Sequence, residues 1–159
     1  MSHIIHAIVL KGPYNHQEAD KYELTGVDLN FDLTLFFIDN DFIDYWEKKL
    51  AYSGYLESNC HLVNKRVIYD LMKRISLSDP IEYAVIVTAY VGGMGDQFAN
   101  IYRNDQNADL SVKTINEALN YLGADQGNHL DEFDAVGLGR FRSNPAYLDK
   151  YQKLLGELE

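Results

Sequence analysis

The chain has 159 residues, with 24 Asp and Glu against 14 Lys and Arg, and its formal net charge is −10 at pH 7. This length indicates one domain, residues 1–159, with room for a substantial core. The acidic balance argues against direct nucleic-acid binding, because phosphate contacts require Lys and Arg. No apolar run is long enough to span a membrane. The charge favours a basic partner, or serves solubility alone.

The cysteine content and the N-terminal residues bear on where the protein acts. Cys60 is the only cysteine in the sequence, so a disulfide within the chain is impossible. The first residues lack the basic start and the small-residue cleavage site of a secretory signal. Both features predict a protein of the reducing cytoplasm.

The first half of the sequence predicts two strands and two helices. The strands are short, apolar and rich in β-branched or aromatic residues, and the helices carry apolar residues at helical spacing. The stripe of the first helix is Phe42, Ile43, Trp46 and Leu50. The predicted elements are a strand over Ile4–Leu10, a loop or one to two helical turns over Asn15–Leu24, a strand over Phe31–Ile38, a helix capped by Asp39 or Asn40, and a helix over Val63–Ser76.

The second half is organised around Tyr83–Arg103. Tyr83–Val91 is a nearly unbroken apolar run, which predicts a strand buried on both faces. Glycines at 92, 93 and 95 then indicate a turn, and alternation over Gln97–Arg103 indicates a neighbouring antiparallel strand. The remaining predicted elements are an edge strand over Ala108–Val112, a helix from the capping box of Thr114 and Glu117 to Gly123, an irregular stretch over Ala124–Asn144, and a helix from Pro145 to about Leu158.

The order of these elements predicts the fold class. At least one pair of strands is joined by a hairpin, and strands do not alternate regularly with helices. Neither an internal repeat nor a linker divides the sequence. We therefore expect a single α+β domain, in which about four helices cover a largely antiparallel or mixed sheet of four or five strands.

The sequence contains no recognised catalytic motif, and we expect neither enzyme activity nor a cofactor. A dinucleotide-binding loop at 92–95 would need a third glycine and a following helix, but Phe98 stands at the glycine position and a strand follows. A tight turn is therefore favoured over a nucleotide site. Cys60 and His61 are adjacent, and neighbouring residues rarely bring their side chains together as nucleophile and base.

One short segment gathers side chains that bind metals. It contains His129, Asp131, Glu132 and Asp134. On a helix, His129 and Glu132 would share a face, and a divalent cation could bind there. The segment lacks the calcium-loop pattern, so we expect an acidic turn without a metal. A metal-dependent enzyme or a small-ligand-binding protein that uses this cluster is the alternative function.

Tyrosines and carboxylates also alternate along Asp39–Glu57. Tyrosine provides rigid amphipathic area and is enriched in protein interfaces. We expect an acidic, partly aromatic docking surface here, together with carboxylates later in the chain. The candidate contact residues are Asp39, Asp41, Asp44, Tyr45, Glu47, Tyr55, Glu57, Asp96, Asp131, Glu132 and Asp134.

Two stretches resemble immunity proteins of bacterial polymorphic-toxin and contact-dependent growth inhibition systems. YAVIVTAYVGGMGDQFANIYR (Tyr83–Arg103) is similar to their strand–Gly-Gly-x-Gly-x-Gln–strand element, and Thr114–Ser143 resembles the segment that follows it. A looser similarity covers Phe36–Leu56. The resemblance implies a small, cytoplasmic, non-enzymatic protein that binds one cognate toxin domain, commonly a nuclease with a basic surface. A generic protein-interaction adaptor is a further alternative.

Overall fold

The computed structural model describes residues 3–58, 64–91, 94–125, 127 and 143–158. The strands of this part of the chain are β1 (His3–Lys11), β2 (Gly26–Leu29), β3 (Leu33–Phe37), β4 (Tyr55–Leu56), β5 (Asn64–Lys65), β6 (Glu82–Val91), β7 (Met94–Arg103) and β8 (Gln106–Asn107). Its helices are α1 (His16–Lys21), α2 (Asn40–Leu50), α3 (Val67–Ile75), α4 (Ile115–Tyr121) and α5 (Lys150–Glu157), which a 3₁₀ turn (Ala146–Asp149) precedes.

Six antiparallel strands form the main sheet, in the order β2-β3-β1-β6-β7-β8, and β4 pairs with β5 in a separate two-stranded sheet. The predicted α+β class with a largely antiparallel sheet is confirmed. None of the described helices is long and apolar enough to cross a membrane. The sheet has one or two strands more than the sequence predicts, because the β2–β3 hairpin and the position of β8 do not follow from local pattern.

The predicted strand over Phe31–Ile38 begins two residues too early. Phe31 and Asp32 have φ of 66° and 61°, in the left-handed region, and form the turn between β2 and β3. β2 itself is short, and of its four residues only Leu29 is buried, so it carries no strong apolar signal. The hairpin is therefore set by pairing with β3 and not by the composition of β2.

Other element boundaries also shift by a few residues. The predicted edge strand at Ala108–Val112 lies earlier, at β8, because Asp109 folds the chain locally by accepting hydrogen bonds from the N–H and the Oγ of Ser111 at 2.9 and 2.6 Å. α3 begins at Val67, since β5 occupies the residues before it. Pro145 is extended, with ψ of 151°, and a 3₁₀ turn separates it from α5.

The first part of β6 is buried on both faces, as the apolar run predicts, whereas further along the strand Val87 is half-buried and Ala89 is exposed. Tyr83–Ile86 of β6 have no exposed surface. Tyr83 pairs with Tyr102 of β7, and their rings stack with centroids 5.3 Å apart. The opposite face of β7 meets α4, where the Ile115 N–H donates to the side-chain oxygen of Gln97 at 2.9 Å.

The side of the sheet that carries Tyr83 and Tyr102 also carries His6 of β1, as the strand registers require. β5 closes over this side, since Asn64 donates from Nδ2 to the Tyr102 hydroxyl at 2.6 Å. α2 and α3 contact each other beside it. This arrangement brings residues that are far apart in the sequence around one cleft.

Candidate functional site

Asp39 serves α2 as its N-cap, which fulfils the sequence prediction for this helix. Its Oδ1 accepts a hydrogen bond from the Phe42 N–H at 2.8 Å, and its backbone is extended as in other capping residues. Burial raises the pKa of this carboxyl, with smaller contributions from the carboxylates of Asp41 and Asp149. Asp39 therefore has a structural role as the cap of α2, and its side chain is half-buried.

Asp44 and Glu47 lie one turn apart on α2 and share one cation. Lys65 of β5 places its Nζ 2.6 Å from Asp44 Oδ1 and 3.0 Å from Glu47 Oε1. The hydrogen bond that the Lys65 ammonium donates to Asp44 has the largest influence on the pKa of Lys65 and raises it. The two carboxylates and the ammonium together carry one net negative charge. The two salt bridges of Lys65 link α2 to β5.

Tyr45, a candidate for the docking surface, is half-buried and belongs to an aromatic cluster. Its ring packs edge-on against Trp46 and Tyr151, with centroid distances of 5.1 and 5.3 Å. Phe42 joins the same cluster, 5.0 Å from Tyr151. The contact between Tyr45 and Tyr151 therefore packs α5 against α2.

The other candidate contact residues divide between exposed positions and positions outside the described residues. Tyr55 of β4 is the most exposed large hydrophobic residue described, with 67% of its surface accessible. Glu57 and Asp96 are exposed, and Asp41 is half-buried in the first turn of α2. The candidates Asp131, Glu132 and Asp134, with His129, lie outside the described residues, as do Cys60 and His61.

A cleft of about 420 Å³ opens between α2, α3 and the two short strands. Of the predicted residues, it brings together Asp44 and Tyr55. Sequence reasoning missed the others, because they come from four separate elements and carry no motif. The cleft is lined by His6, Asn40, Ile43, Asp44, Tyr55, Asn64, Lys65 and Ile68.

His6 stands out among the residues that the sequence did not indicate. It interrupts the apolar run of β1, and this is the one signal that could have marked it. Burial lowers the pKa of its imidazole to about 4. The ring is therefore neutral near pH 7 and offers one donor and one acceptor nitrogen.

Of the side chains that commonly bind metals, the described lining of the cleft contains His6 and Asp44. In the described parts of the chain, no group of three or more His, Cys, Asp or Glu side chains could hold a metal ion. The lining offers acceptors on the Asp44 carboxylate and on the side-chain oxygens of Asn40 and Asn64, and it also includes the Lys65 ammonium, which Asp44 and Glu47 hold. Carboxylate and amide oxygens of this kind can accept hydrogen bonds from a cationic group.

Comparisons of the chain with protein-family models, with curated proteins and with solved structures gave no match. The functional assignment therefore rests on the residues themselves and on the resemblance described above.

Proposed function

We propose that this protein is an immunity protein that binds and neutralises a cognate bacterial toxin domain. The observation that carries the proposal is a strongly acidic chain in which the half-buried Asp44 of α2 shares a cleft with the exposed Tyr55 of β4, and the exposed Glu57 follows in the sequence. The resemblance of Tyr83–Arg103 to immunity proteins supports the same assignment. The protein acts by occupying a surface and performs no chemistry of its own.

The acidity identifies the class of toxin that fits. Nuclease toxins bind phosphates through Lys and Arg, so their substrate surfaces are basic. An acidic protein covers such a surface, and opposite fields accelerate their association. We therefore propose a nuclease domain as the target and the cytoplasm, where its nucleic-acid substrate lies, as the site of action.

Co-expression tests this proposal. The proposal predicts that the adjoining reading frame encodes a large secreted protein with a variable C-terminal toxin domain, and this domain is the one to use. We expect cells that express this domain to die alone and to survive when the immunity protein is produced with it. An unrelated acidic protein at the same level is the control and should not rescue growth. Continued killing, despite abundant folded protein, would contradict the proposal.

A further inference from the structure

We propose that the cleft between α2, α3 and β5 anchors an arginine side chain of the protein that this chain binds. The inference rests on the proposed function for the existence of a protein partner, and it adds the chemistry of the contact. The cleft volume, about 420 Å³, falls within the range of about 300–1,000 Å³ that is usual for ligand pockets. One long side chain fits such a space.

The charged groups at and beside the cleft carry one net negative charge, because Asp44 and Lys65 line the cleft and Glu47, outside the lining, also binds Lys65. Lys65 is held through Asp44 Oδ1 and Glu47 Oε1. Each of these contacts uses one oxygen of its carboxylate. The side chains of Asp44 and Glu47 are 36% and 23% exposed, so a partner reaches them from solvent. A cationic group of a partner would therefore interact favourably with these two carboxylates.

The neutral groups of the cleft add further acceptors and no positive charge. The imidazole of His6 is uncharged near pH 7 because burial lowers its pKa to about 4. Asn64 donates through Nδ2 to Tyr102, which leaves its Oδ1 as an acceptor. A guanidinium group has five donors and no acceptor, and thus matches such a set.

The apolar and aromatic residues favour arginine over lysine. Ile43 and Ile68 line the cleft and can pack against the methylene groups of a long side chain. Tyr55 lies at the same cleft with 67% of its surface accessible. A planar guanidinium stacks on an aromatic ring and forks onto a carboxylate, whereas an ammonium is a compact, strongly hydrated charge.

Titration with a small probe tests the site without the toxin. The isotope-labelled full chain is titrated with N-acetyl-arginine amide and followed by NMR, with N-acetyl-citrulline amide as an uncharged probe of the same shape. We expect saturable shifts at His6, Asn64 and Lys65 with the arginine probe only. Equal shifts with citrulline, or shifts confined to other surfaces, would overturn the inference.

The same titration with variants of the chain tests which residues bind the arginine probe. Asp44→Asn should weaken binding of the arginine probe at least fivefold, since it removes a charge and keeps the shape. Lys65→Met should strengthen it, because the internal cation no longer competes. Asp20→Asn, at an exposed position on α1, removes one negative charge elsewhere and should leave the affinity unchanged. An Asp44→Asn chain that is folded and binds as tightly as the wild type would contradict the site.

Two measurements with the toxin domain, its dissociation rate from the chain and the protection of cells, distinguish a failure of this inference from a failure of the proposed function. If Asp44→Asn and Tyr55→Ala each speed dissociation from the toxin at least fivefold, the cleft is the anchor. If the wild type protects cells and both variants bind the toxin as it does, the proposed function stands and the cleft inference is wrong. If the wild type fails to protect but binds the arginine probe at the cleft, the proposed function is wrong and the preference of the cleft for arginine stands.

Discussion

His6 has a lowered pKa because of burial, and this property could not be predicted from its position in the sequence. It lies on β1 between Val87 of β6 and the cleft, and its backbone N–H donates to Asn144 Oδ1 at 3.0 Å. Asp44 and Lys65 are the charged groups that share the cleft with it. Burial disfavours the protonated, charged form of the imidazole, so the free energy of unfolding depends on pH through this residue.

This coupling gives the first prediction. The pKa of His6 is about 4 in the folded protein and 6.5 in the unfolded chain, so the unfolded chain binds the proton more tightly. Stability is therefore complete above pH 6.5 and falls as the pH drops from 6.5 towards 4. At pH 5 we expect a loss of about 2 kcal/mol from this group. Urea unfolding at pH 7.5 and pH 5.0 measures it. His6→Asn should remove most of the difference, and an equal difference in both proteins would contradict the prediction.

Asp39 provides the corresponding prediction for the start of α2. Asp39→Ala removes the acceptor for the Phe42 N–H and should reduce the free energy of unfolding by about 1 kcal/mol. Asp39→Ser keeps a capping oxygen and is the matched control, with a loss of only a few tenths of a kcal/mol. Urea denaturation measures both. If the alanine and serine variants were equally stable, the capping role would be wrong.

At the scale of elements, the attachment of β5 to the main sheet depends on one buried polar pair. Asn64 is 2% exposed and Tyr102 is fully buried, and the two are joined by the 2.6 Å hydrogen bond. The same β5 carries Lys65 to the carboxylates of α2. The pair therefore positions one wall of the cleft.

A double-mutant cycle tests this role. Tyr102→Phe deprives the buried Asn64 amide of its partner and should cost about 1–3 kcal/mol of unfolding free energy. Asn64→Leu alone should also destabilise, whereas the double variant should lose less than the sum. Tyr121→Phe, at an exposed tyrosine, is the control and should change stability by less than about 0.5 kcal/mol. Additive losses would show that the two residues act independently.

The elements that the sequence predicted are those with strong local signals. The capping box of Thr114 and Glu117 forms as expected, and the apolar stripe of α2 is buried at Phe42, Ile43 and Trp46. The β2–β3 hairpin was missed because its turn includes Phe31 at positive φ, and a bulky aromatic residue rarely adopts that conformation. β2 is held by its pairing with β3, which itself pairs with β1, and this pairing does not follow from local pattern.

The candidate site was predicted less completely, because its contacts are long-range. The sequence indicated Asp44 and Tyr55 through the local alternation of carboxylates and tyrosines. Lys65 reaches Asp44 from 21 positions away, and no spacing rule predicts such a pair. The contact between Tyr45 and Tyr151 was not predicted for the same reason, since Tyr151 comes from the far end of the chain.

At the scale of the whole molecule, the charge of −10 should act mainly on the rate of association. The test variant is Asp41→Asn, Asp44→Asn, Glu47→Gln, which retains the Asp39 cap. The control removes the same number of charges elsewhere: Asp20→Asn, Asp79→Asn, Glu157→Gln. At low ionic strength we expect the test variant to bind the toxin domain about tenfold more slowly than the control, with a weaker salt dependence. Equal rates for the two variants would remove the α2 surface from the interface.

The central claim is that the protein neutralises a toxin by binding it, and titration of toxic activity tests this most directly. The purified toxin domain cleaves its nucleic-acid substrate while increasing amounts of the chain are added. We predict a linear loss of activity that is complete at one equivalent, because each chain covers one active surface. Activity that persists at several equivalents would contradict the claim, and so would inactivation by a small fraction of an equivalent, which would indicate catalysis.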